Sequence, residues 1–512
     1  MAYKFTPEQE AAIQATIQDF PTYAREWLKI RDKPGTIRPL ILNVAQAYVH
    51  QKLEEQLKET GMVRAVVLKG RQMGMSSYIA ARFYHHTVTS PGKRTYILAH
   101  EQAASDNLFA MAQRFHEHYP EILKPALRAS NAKELSFSSL DSGYKVATAG
   151  NKGAGRSDTA QYVHGSEVSF WSNAESHLSG LLQTVPLLPG TEIVFESTAC
   201  GIGNTFHDVW CQGVLKEGGW QAIFVPWTWQ PEYVINDENI KVDDEDMAYG
   251  KMYDLTIPQL RWRRYKIGEL GSPLQFKQEY PMTAAEAFEV SNDMAFMKDE
   301  VVVAARKSIS TAFGPKIIGV DPARSGRDNT VIMIRQGRVA EVVEVVKGDD
   351  TMVVVSKILQ ALRKYSPDAI FIDVGGLGAG IVDRLRELGY RMVRGVDFGS
   401  SPLDKNRYVN KRAEMYGLMK EWVGDPPCQI PDDDLLQQDL CGLQIDRFDQ
   451  HNRVVLESKD AFKKRFKRSP DRGDALALTF AFPVRDAEAE RLDMASFSGL
   501  GRKNRSTVPG MG

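Results

Sequence analysis

Short apolar runs alternate with helix-period stretches along residues 63–230. The runs are VRAVVL (63–68), RTYILAH (94–100), TAQYVHG (159–165) and TEIVFEST (191–198). Each is short and bounded by turn-forming residues, so each predicts a strand. Strands separated by helices predict an α/β domain with a mostly parallel sheet. Upstream, residues 1–60 read as helix, opened by Thr6-Pro7-Glu8-Gln9 with an N-cap, a proline at N1 and a glutamine at N3. Asp32-Lys33-Pro34-Gly35 interrupts that pattern. Residues 231–310 are charged and mixed, which predicts a helical lid or linker. A second rhythm starts near Lys316 with KIIGVD (316–321), TVIMIRQG (330–337), RVAEVVEVV (338–346) and DAIFID (368–373). Turn signals join the first three, which predicts antiparallel neighbours, with helices to follow over 351–365 and 378–389. The scheme is 1–230, a linker over 231–310, a second α/β domain over 311–484, and a flexible tail over 485–512.

Composition narrows the classes. A chain of 512 residues should hold more than one domain. With 43% apolar and 25% charged residues, wholesale disorder and a fibrous protein are excluded. Lys+Arg is 64 and Asp+Glu is 65, a net charge of -1, so nucleic acid cannot be held by bulk charge. A local basic surface would be needed. The four cysteines, Cys200, Cys211, Cys428 and Cys441, show no C-x-x-C spacing. That argues against a zinc ribbon or a disulfide framework, and for a reducing compartment. MAYKFTPEQE has no apolar signal core, and no run approaches the roughly 18 apolar residues of a membrane span. A soluble intracellular chain without a membrane partner is expected.

The first candidate chemistry follows VRAVVL. KGRQMGMSS (69–77) leads into a helix starting near Ser76, the strand, glycine loop and helix order that cradles phosphates. The usual pattern is G-x-x-x-x-G-K-[ST]. Gly74 and Ser76 keep their places, Met75 stands where the lysine belongs, and Lys69 replaces the first glycine. Lys69 can still fold over phosphates, and backbone N–H groups act whatever the side chain. An ordinary strand-to-helix turn fits the same spacing. Glu167 ends the run TAQYVHGSE, where a carboxylate can orient an attacking water, although Ser166 replaces the usual preceding Asp. The plain alternative is a solvated strand end. Ser197-Thr198 end the next strand, and Gln46 in IRPLILNVAQ (37–46) offers an amide that could read adenine.

The second candidate is a carboxylate cluster. Asp321 ends KIIGVD, Asp373 ends DAIFID, and Asp471 and Asp474 open a helix in RSPDRGDALALTFAF (468–482). Two strand-end carboxylates and one on a helix can converge on Mg²⁺ or Mn²⁺. Two such ions, roughly 4 Å apart, clamp the oxygens of a phosphodiester. Taken singly, each Asp could merely cap its element. AFKKRFKRSPDR (461–472), with six Lys or Arg, adjoins Asp474 and suits phosphate steering as well as a solvated face.

With both constellations in order, the chain resembles a large terminase subunit, the DNA-packaging motor of tailed bacteriophages. The series is LNVAQ, KGRQMGMSS, HGSEVSFW, ESTACGIGNTF, VDPARSGRDNT, FIDVGGLGAG, NKRAEM (410–415) and SPDRGDAL, covering about 37–484. The resemblance implies an N-terminal P-loop ATPase domain with a parallel-type sheet and helical lid, and a C-terminal RNase H-like nuclease domain with a mixed sheet. It implies ATP bound by Gln46, Lys69, Arg71, Gly74, Ser76 and Ser77, with Glu167 catalytic. Arg156 matches the region that supplies a trans-acting arginine, and Ser197 and Thr198 match a coupling motif. Asp321, Asp373 and Asp474 match nuclease ligands for two Mg²⁺ or Mn²⁺, with one further ion carried by ATP. Implied partners are double-stranded DNA, a small terminase subunit, the procapsid portal protein, and copies of the chain itself, a pentamer when docked. The implied place of action is the host cytoplasm, at the portal during packaging, and not the mature virion. Two other readings stay open: a translocase whose C-terminal domain binds DNA without cutting, and a structural capsid protein with neither activity.

Overall fold

A computed structural model of the chain describes residues 5–130, 133–149, 159–172, 174–289, 295–323, 329–347, 350–451 and 453–484. Arg156 and the tail over 485–512 lie outside the described residues. The chain divides into two compact units, Met1–Val290 and Ser291–Gly512. Residues 231–289 therefore fall with the first unit, while the helix Asp299–Lys307 falls with the second.

The first helix, Pro7–Gln18, opens on the expected signal: Thr6 and Gln9 form a reciprocal capping box. The stretch to residue 60 is not continuous helix, however. A two-stranded ribbon, β1 (Lys29–Arg31) with β2 (Ile37–Pro39), separates Phe20–Trp27 from Val44–Thr60. Asp32 closes it, its N–H donating to the Thr36 carbonyl and its carboxylate accepting from Thr36 N at 2.6 Å. The Pro-Gly interruption thus makes a hairpin.

The main sheet of this unit has eight strands: β3 (Val63–Lys69), β4 (Arg94–Ala99), β5 (Leu127–Ser130), β6 (Glu134–Phe137), β7 (Ser142–Thr148), β8 (Tyr162–Ser166), β9 (Glu192–Ser197) and β10 (Gln221–Val225). Their order is β10-β3-β9-β8-β4-β7-β6-β5. All neighbours are parallel except β7-β6 and β6-β5, so the sheet is mixed at one edge. β3 and β9 are buried at every position, as central strands covered on both faces must be. Helices Val44–Thr60 and Met75–Thr89 lie over one face and Thr205–Leu215 supports the other, their apolar residues joining two clusters of buried side chains. β9 lies between β3 and β8, so the ends of all three meet.

The second unit holds a five-stranded sheet of β11 (Lys316–Asp321), β12 (Asn329–Gln336), β13 (Val339–Lys347), β14 (Ala369–Asp373) and β15 (Val393–Val396), in the order β13-β12-β11-β14-β15. The first three are antiparallel, and β11, β14 and β15 run parallel. The sheet is therefore mixed, as expected for the second domain. The expected helices form at Thr351–Tyr365 and Gly378–Glu387. On β11, a Cβ at Gly319 would stand 2.0 Å from the Ala475 carbonyl oxygen. Only a bare glycine lets the helix Asp471–Leu478 pack so close to the strand that ends in Asp321.

Candidate active sites

In the first unit, β3 delivers Lys69 to a loop that turns through Gln72 and Gly74, both at positive φ. Gly74 is the N-cap of Met75–Thr89, at φ 74°, and no side chain caps that helix. Its first-turn N–H groups face the loop, an arrangement suited to an anion. The loop is braced from outside. Gln46 Nε2 donates to the Gly74 carbonyl at 2.7 Å, while Gln46 Oε1 accepts from Asn43 N at 3.0 Å. Asn43 Nδ2 reaches the Met73 carbonyl. Gln46 is buried with both ends of its amide engaged, holding the loop. Tyr233 donates to the Arg71 carbonyl at 2.6 Å, leaving the Arg71 side chain more than half exposed beside Glu279. Ser76 faces inward to Glu196; Ser77 turns instead to Met111, 3.6 Å away.

Glu167 follows β8 in the left-handed region, φ 52°, a strained conformation for a side chain of this size. Three contacts hold it there. Its Oε1 accepts from Lys69 Nζ at 2.7 Å, and its Oε2 accepts from Ser197 Oγ at 3.2 Å and Thr198 N at 3.3 Å. The sequence-predicted residues Lys69, Glu167, Ser197 and Thr198 therefore meet at the ends of β3, β8 and β9.

Glu196 was not singled out from the sequence, yet it is the centre of this group. It is wholly buried. Its Oε1 accepts from Ser76 Oγ and from Ser166 Oγ, both at 2.7 Å, and its Oε2 faces Lys69 Nζ at 3.2 Å. His164 Nε2 lies 3.5 Å away. Burial opposes ionisation of Glu196, but Lys69, His164 and Ser76 outweigh it and hold the carboxyl below the usual range. Burial likewise opposes charge on Lys69, and Glu167 and Glu196 reverse that, raising its pKa. The signal was legible in principle: a charged residue inside a fully buried strand requires a partner.

In the second unit, Asp321 and Asp373 end the parallel neighbours β11 and β14, and Asp474 lies in the first turn of Asp471–Leu478. All three converge on one ammonium. Lys459 Nζ is 2.8 Å from Asp474 Oδ2, 3.4 Å from Asp373 Oδ2 and 3.5 Å from Asp321 Oδ1. Tyr416 donates to Asp474 Oδ1 at 2.7 Å, and Gly375 N donates to Asp373 Oδ1 at 2.9 Å. Burial pushes the Asp321 carboxyl well up; Lys459 opposes this, while Asp474, Asp471 and Asp373 add to it. Lys459 is held charged against burial by the three aspartates, its pKa raised. Asp471 instead accepts from Asn329 N at 3.0 Å.

Among the described residues, no group of three or more His, Cys, Asp or Glu stands ready to hold a metal. The donor chemistry nevertheless fits a hard divalent cation. Three carboxylates meet Lys459, with Arg412 Nε 3.9 Å from Asp474, so one negative charge is left over among oxygen donors that suit such an ion. Lys459 and Tyr416 were missed by sequence reasoning; Lys459 lies two residues before the basic run. Within that run, Arg465 pairs with Glu457, Arg468 with Asp439, and Arg472 with Asp433. Three of its six cations thus brace the unit internally. No helix among the described residues is long and apolar enough to cross a membrane.

No protein-family model and no curated protein matches the chain. Solved structures of phage large terminases match it over most of its length. The HK97 bacteriophage large terminase matches at 12% identity and TM-score 0.41, over 91% of this chain and 99% of that one. The nuclease domain of the large terminase subunit of bacterial virus Sf6 matches at 21% identity and TM-score 0.33, over 37% of this chain and all of that one. The Thermus phage P74-26 large terminase ATPase domain matches at 15% identity and TM-score 0.33, over 47% of this chain and 92% of that one. At these identities and scores the likeness does not itself assign an activity.

Proposed function

We propose that this chain is a large terminase subunit of a tailed phage. In this reading the first unit hydrolyses ATP to drive double-stranded DNA into a procapsid, and the second cuts concatemeric DNA. The observation that carries it is a pair of lysine–carboxylate sites at strand ends, one on a phosphate-type loop and one on an aspartate triad. At the first site, loop N–H groups and Lys69 bind the phosphates, with Arg71 in reach of them. Glu167, freed from Lys69 as the lysine turns to phosphate, accepts a proton from the attacking water and orients it. Ser197 and Thr198 keep that carboxylate aimed. Gln46 holds the loop's shape through the Gly74 carbonyl. Arg156 acts on a neighbouring subunit's nucleotide.

At the second site, Asp321, Asp373 and Asp474 would hold Mg²⁺ or Mn²⁺, which supplies Lewis-acid polarisation of a phosphodiester and a more acidic water. Tyr416 fixes the Asp474 carboxylate and Gly375 fixes that of Asp373. The partners in this reading are DNA, a small terminase subunit and the portal protein. The working form is a pentamer docked at the portal in the host cytoplasm.

One observation favours a second reading, in which the C-terminal unit binds DNA without cutting. Lys459 stands among the three aspartates where a cation would stand. Incubating the protein with plasmid DNA and Mn²⁺, with and without chelator, decides between them. Chelator-sensitive cleavage that Asp474→Asn abolishes supports the nuclease. ATP hydrolysis with no cleavage at any Mn²⁺ concentration supports the translocase. Neither activity would leave a structural protein.

A further inference from the structure

The first site departs from the usual phosphate-loop arrangement at Ser166, where a carboxylate is expected. We propose that Glu196 of the neighbouring strand β9 replaces that carboxylate, as the positioning residue that makes Ser76 a ligand for the divalent cation carried by the nucleotide. This rests on the ATPase reading above and names the residue that site would otherwise lack.

The argument starts from register. β8 and β9 are parallel, and Ser166 and Glu196 are Cα partners across the pair. In-register neighbours in a parallel pair point to the same face and stand about 4.8 Å apart. A carboxylate moved sideways by one strand, on a side chain one methylene longer than Asp, still arrives at the same place. Its arrival is observed: Glu196 Oε1 is 2.7 Å from both Ser76 Oγ and Ser166 Oγ. Ser166 keeps the old position on β8 but only donates a proton to the new carboxylate.

The consequence for Ser76 is a matter of counting. A hydroxyl has one proton and two lone pairs. An ionised, buried Glu196 can only accept, so it takes the Ser76 proton and leaves the lone pairs free for a cation in the loop. Lys69 lies 3.2 Å from the other carboxylate oxygen, and Ser76 and Lys69 are thereby set from one anchor. Glu192, the other acid of β9, gives the contrast. It is equally buried but is bound by Arg82 at 2.7 Å and His86 at 3.2 Å, away from the loop. Glu192 is a structural ion pair; Glu196 alone of the two touches the loop serine.

The test measures binding of a fluorescent N-methylanthraniloyl ATP to the full chain, with excess Mg²⁺ and with EDTA. The parent should bind more tightly with Mg²⁺. Glu196→Gln should lose that difference by about tenfold, the size of effect expected when a group behind a metal ligand is removed. Ser76→Ala should lose the same difference, and the double variant should lose no more than either single one. The exchange variant Ser166→Asp/Glu196→Ser returns the carboxylate to β8 and should recover most of the Mg²⁺ dependence, which a merely structural role for Glu196 would not allow. Full Mg²⁺ dependence in Glu196→Gln overturns the proposal, as do additive losses from Glu196→Gln and Ser76→Ala. Should Glu196→Gln fail to fold, the exchange variant decides: Mg²⁺ dependence supports the proposal and its absence overturns it. A parent that binds no nucleotide overturns the ATPase reading, and this inference with it.

Discussion

The two sites use the same parts to opposite ends. Each sets a lysine among carboxylates gathered at the ends of parallel strands, buried for Lys69 and a third exposed for Lys459. In the first unit Lys69 faces two carboxylates, those of Glu167 and Glu196, and hydroxyls and an imidazole share the remaining charge. The Glu196 carboxyl is held low, as in a site whose anions are satisfied. In the second unit Lys459 faces three aspartates, with Arg412 Nε 3.9 Å from Asp474 and the Tyr416 hydroxyl on the same carboxylate, and burial first, then the neighbouring aspartates, push Asp321 up. Each site is left with one more carboxylate than it has Lys or Arg, so the count of charges does not separate them. What differs is the surroundings: Lys69 stands beside a loop of free N–H groups suited to an anion, and Lys459 among three converging aspartates suited to a cation.

The strongest way to break that comparison is to remove one acid of the triad. Asp321→Asn, Asp373→Asn and Asp474→Asn should each reduce Mn²⁺-dependent DNA cleavage to a hundredth or less, on the order of a metal-affinity loss of 10–100-fold compounded with a misplaced water. ATP hydrolysis should be unchanged, since the nucleotide site belongs to the other unit. Asp471→Asn, at a carboxylate that accepts from Asn329 N, should be milder. Parent-like cleavage by all three variants would show the triad to be structural.

Next come the carboxylate and the lysine of the first site. Glu167→Gln should lower ATP turnover by about a hundredfold while nucleotide still binds, because the water is no longer held. Lys69→Ala should be as damaging, and Met75→Ala mild, in the same turnover assay. Equal and mild effects for Lys69→Ala and Met75→Ala would sink the role given to Lys69.

The same substitution made in both units sharpens the comparison by sign. Lys69→Ala should weaken nucleotide binding. Lys459→Ala should tighten Mn²⁺ binding, read by calorimetric titration. A unit charge at 4 Å is worth about 1 kcal/mol even in bulk water, so a gain of about fivefold is the floor. Weaker Mn²⁺ binding by Lys459→Ala would mean that the lysine orders the triad rather than competes with cations.

The smallest effect concerns acid stability of the first unit. His85 is buried, and burial, with His86 beside it, lowers its pKa from 6.5 to about 3. Its folded pKa lies below its unfolded one, so its contribution is complete above pH 6.5. That contribution fades as pH falls towards 3. His85→Gln can keep a donor for the Ile17 carbonyl while removing the titration. The melting temperature of His85→Gln should fall less between pH 7 and pH 5 than the parent's does. An identical fall in both proteins would count against a buried neutral His85.

Much of this was legible in the sequence because strands in two-faced parallel sheets write themselves as unbroken apolar runs. The four runs of the first domain and the antiparallel triplet of the second appear within a few residues of where they were read. What was not legible is instructive. β5 and β10 are short edge strands, and β6 and β7 carry few consecutive apolar residues, so none of them stands out as a run. The break at residues 32–35 was legible, but not the ribbon it makes, because a Pro-Gly turn can close a ribbon as well as end a helix. Of the sites, strand-end acids were found because position alone suggests them. Glu196 was hidden one residue before a recognisable Ser-Thr, and Lys459 at the head of a helix whose charges look ordinary. Both take their meaning from neighbours more than 85 positions away in sequence on at least one side, and no local pattern carries that.

The notch at Gly319 bears on how such a protein could change over generations. Asp321 and Asp373 are tied together by the hydrogen-bond ladder of adjacent strands, but Asp474 depends on a helix seated against a residue with no side chain. A single added methyl at position 319 would meet the Ala475 carbonyl and lift the third acid away from the other two. If the second unit cuts DNA, as proposed, that chemistry would be exposed to drift at a position that carries none of it. Natural selection on cleavage would then act there as firmly as on the aspartates, and a lineage that abandoned cutting would be free to fill the notch first.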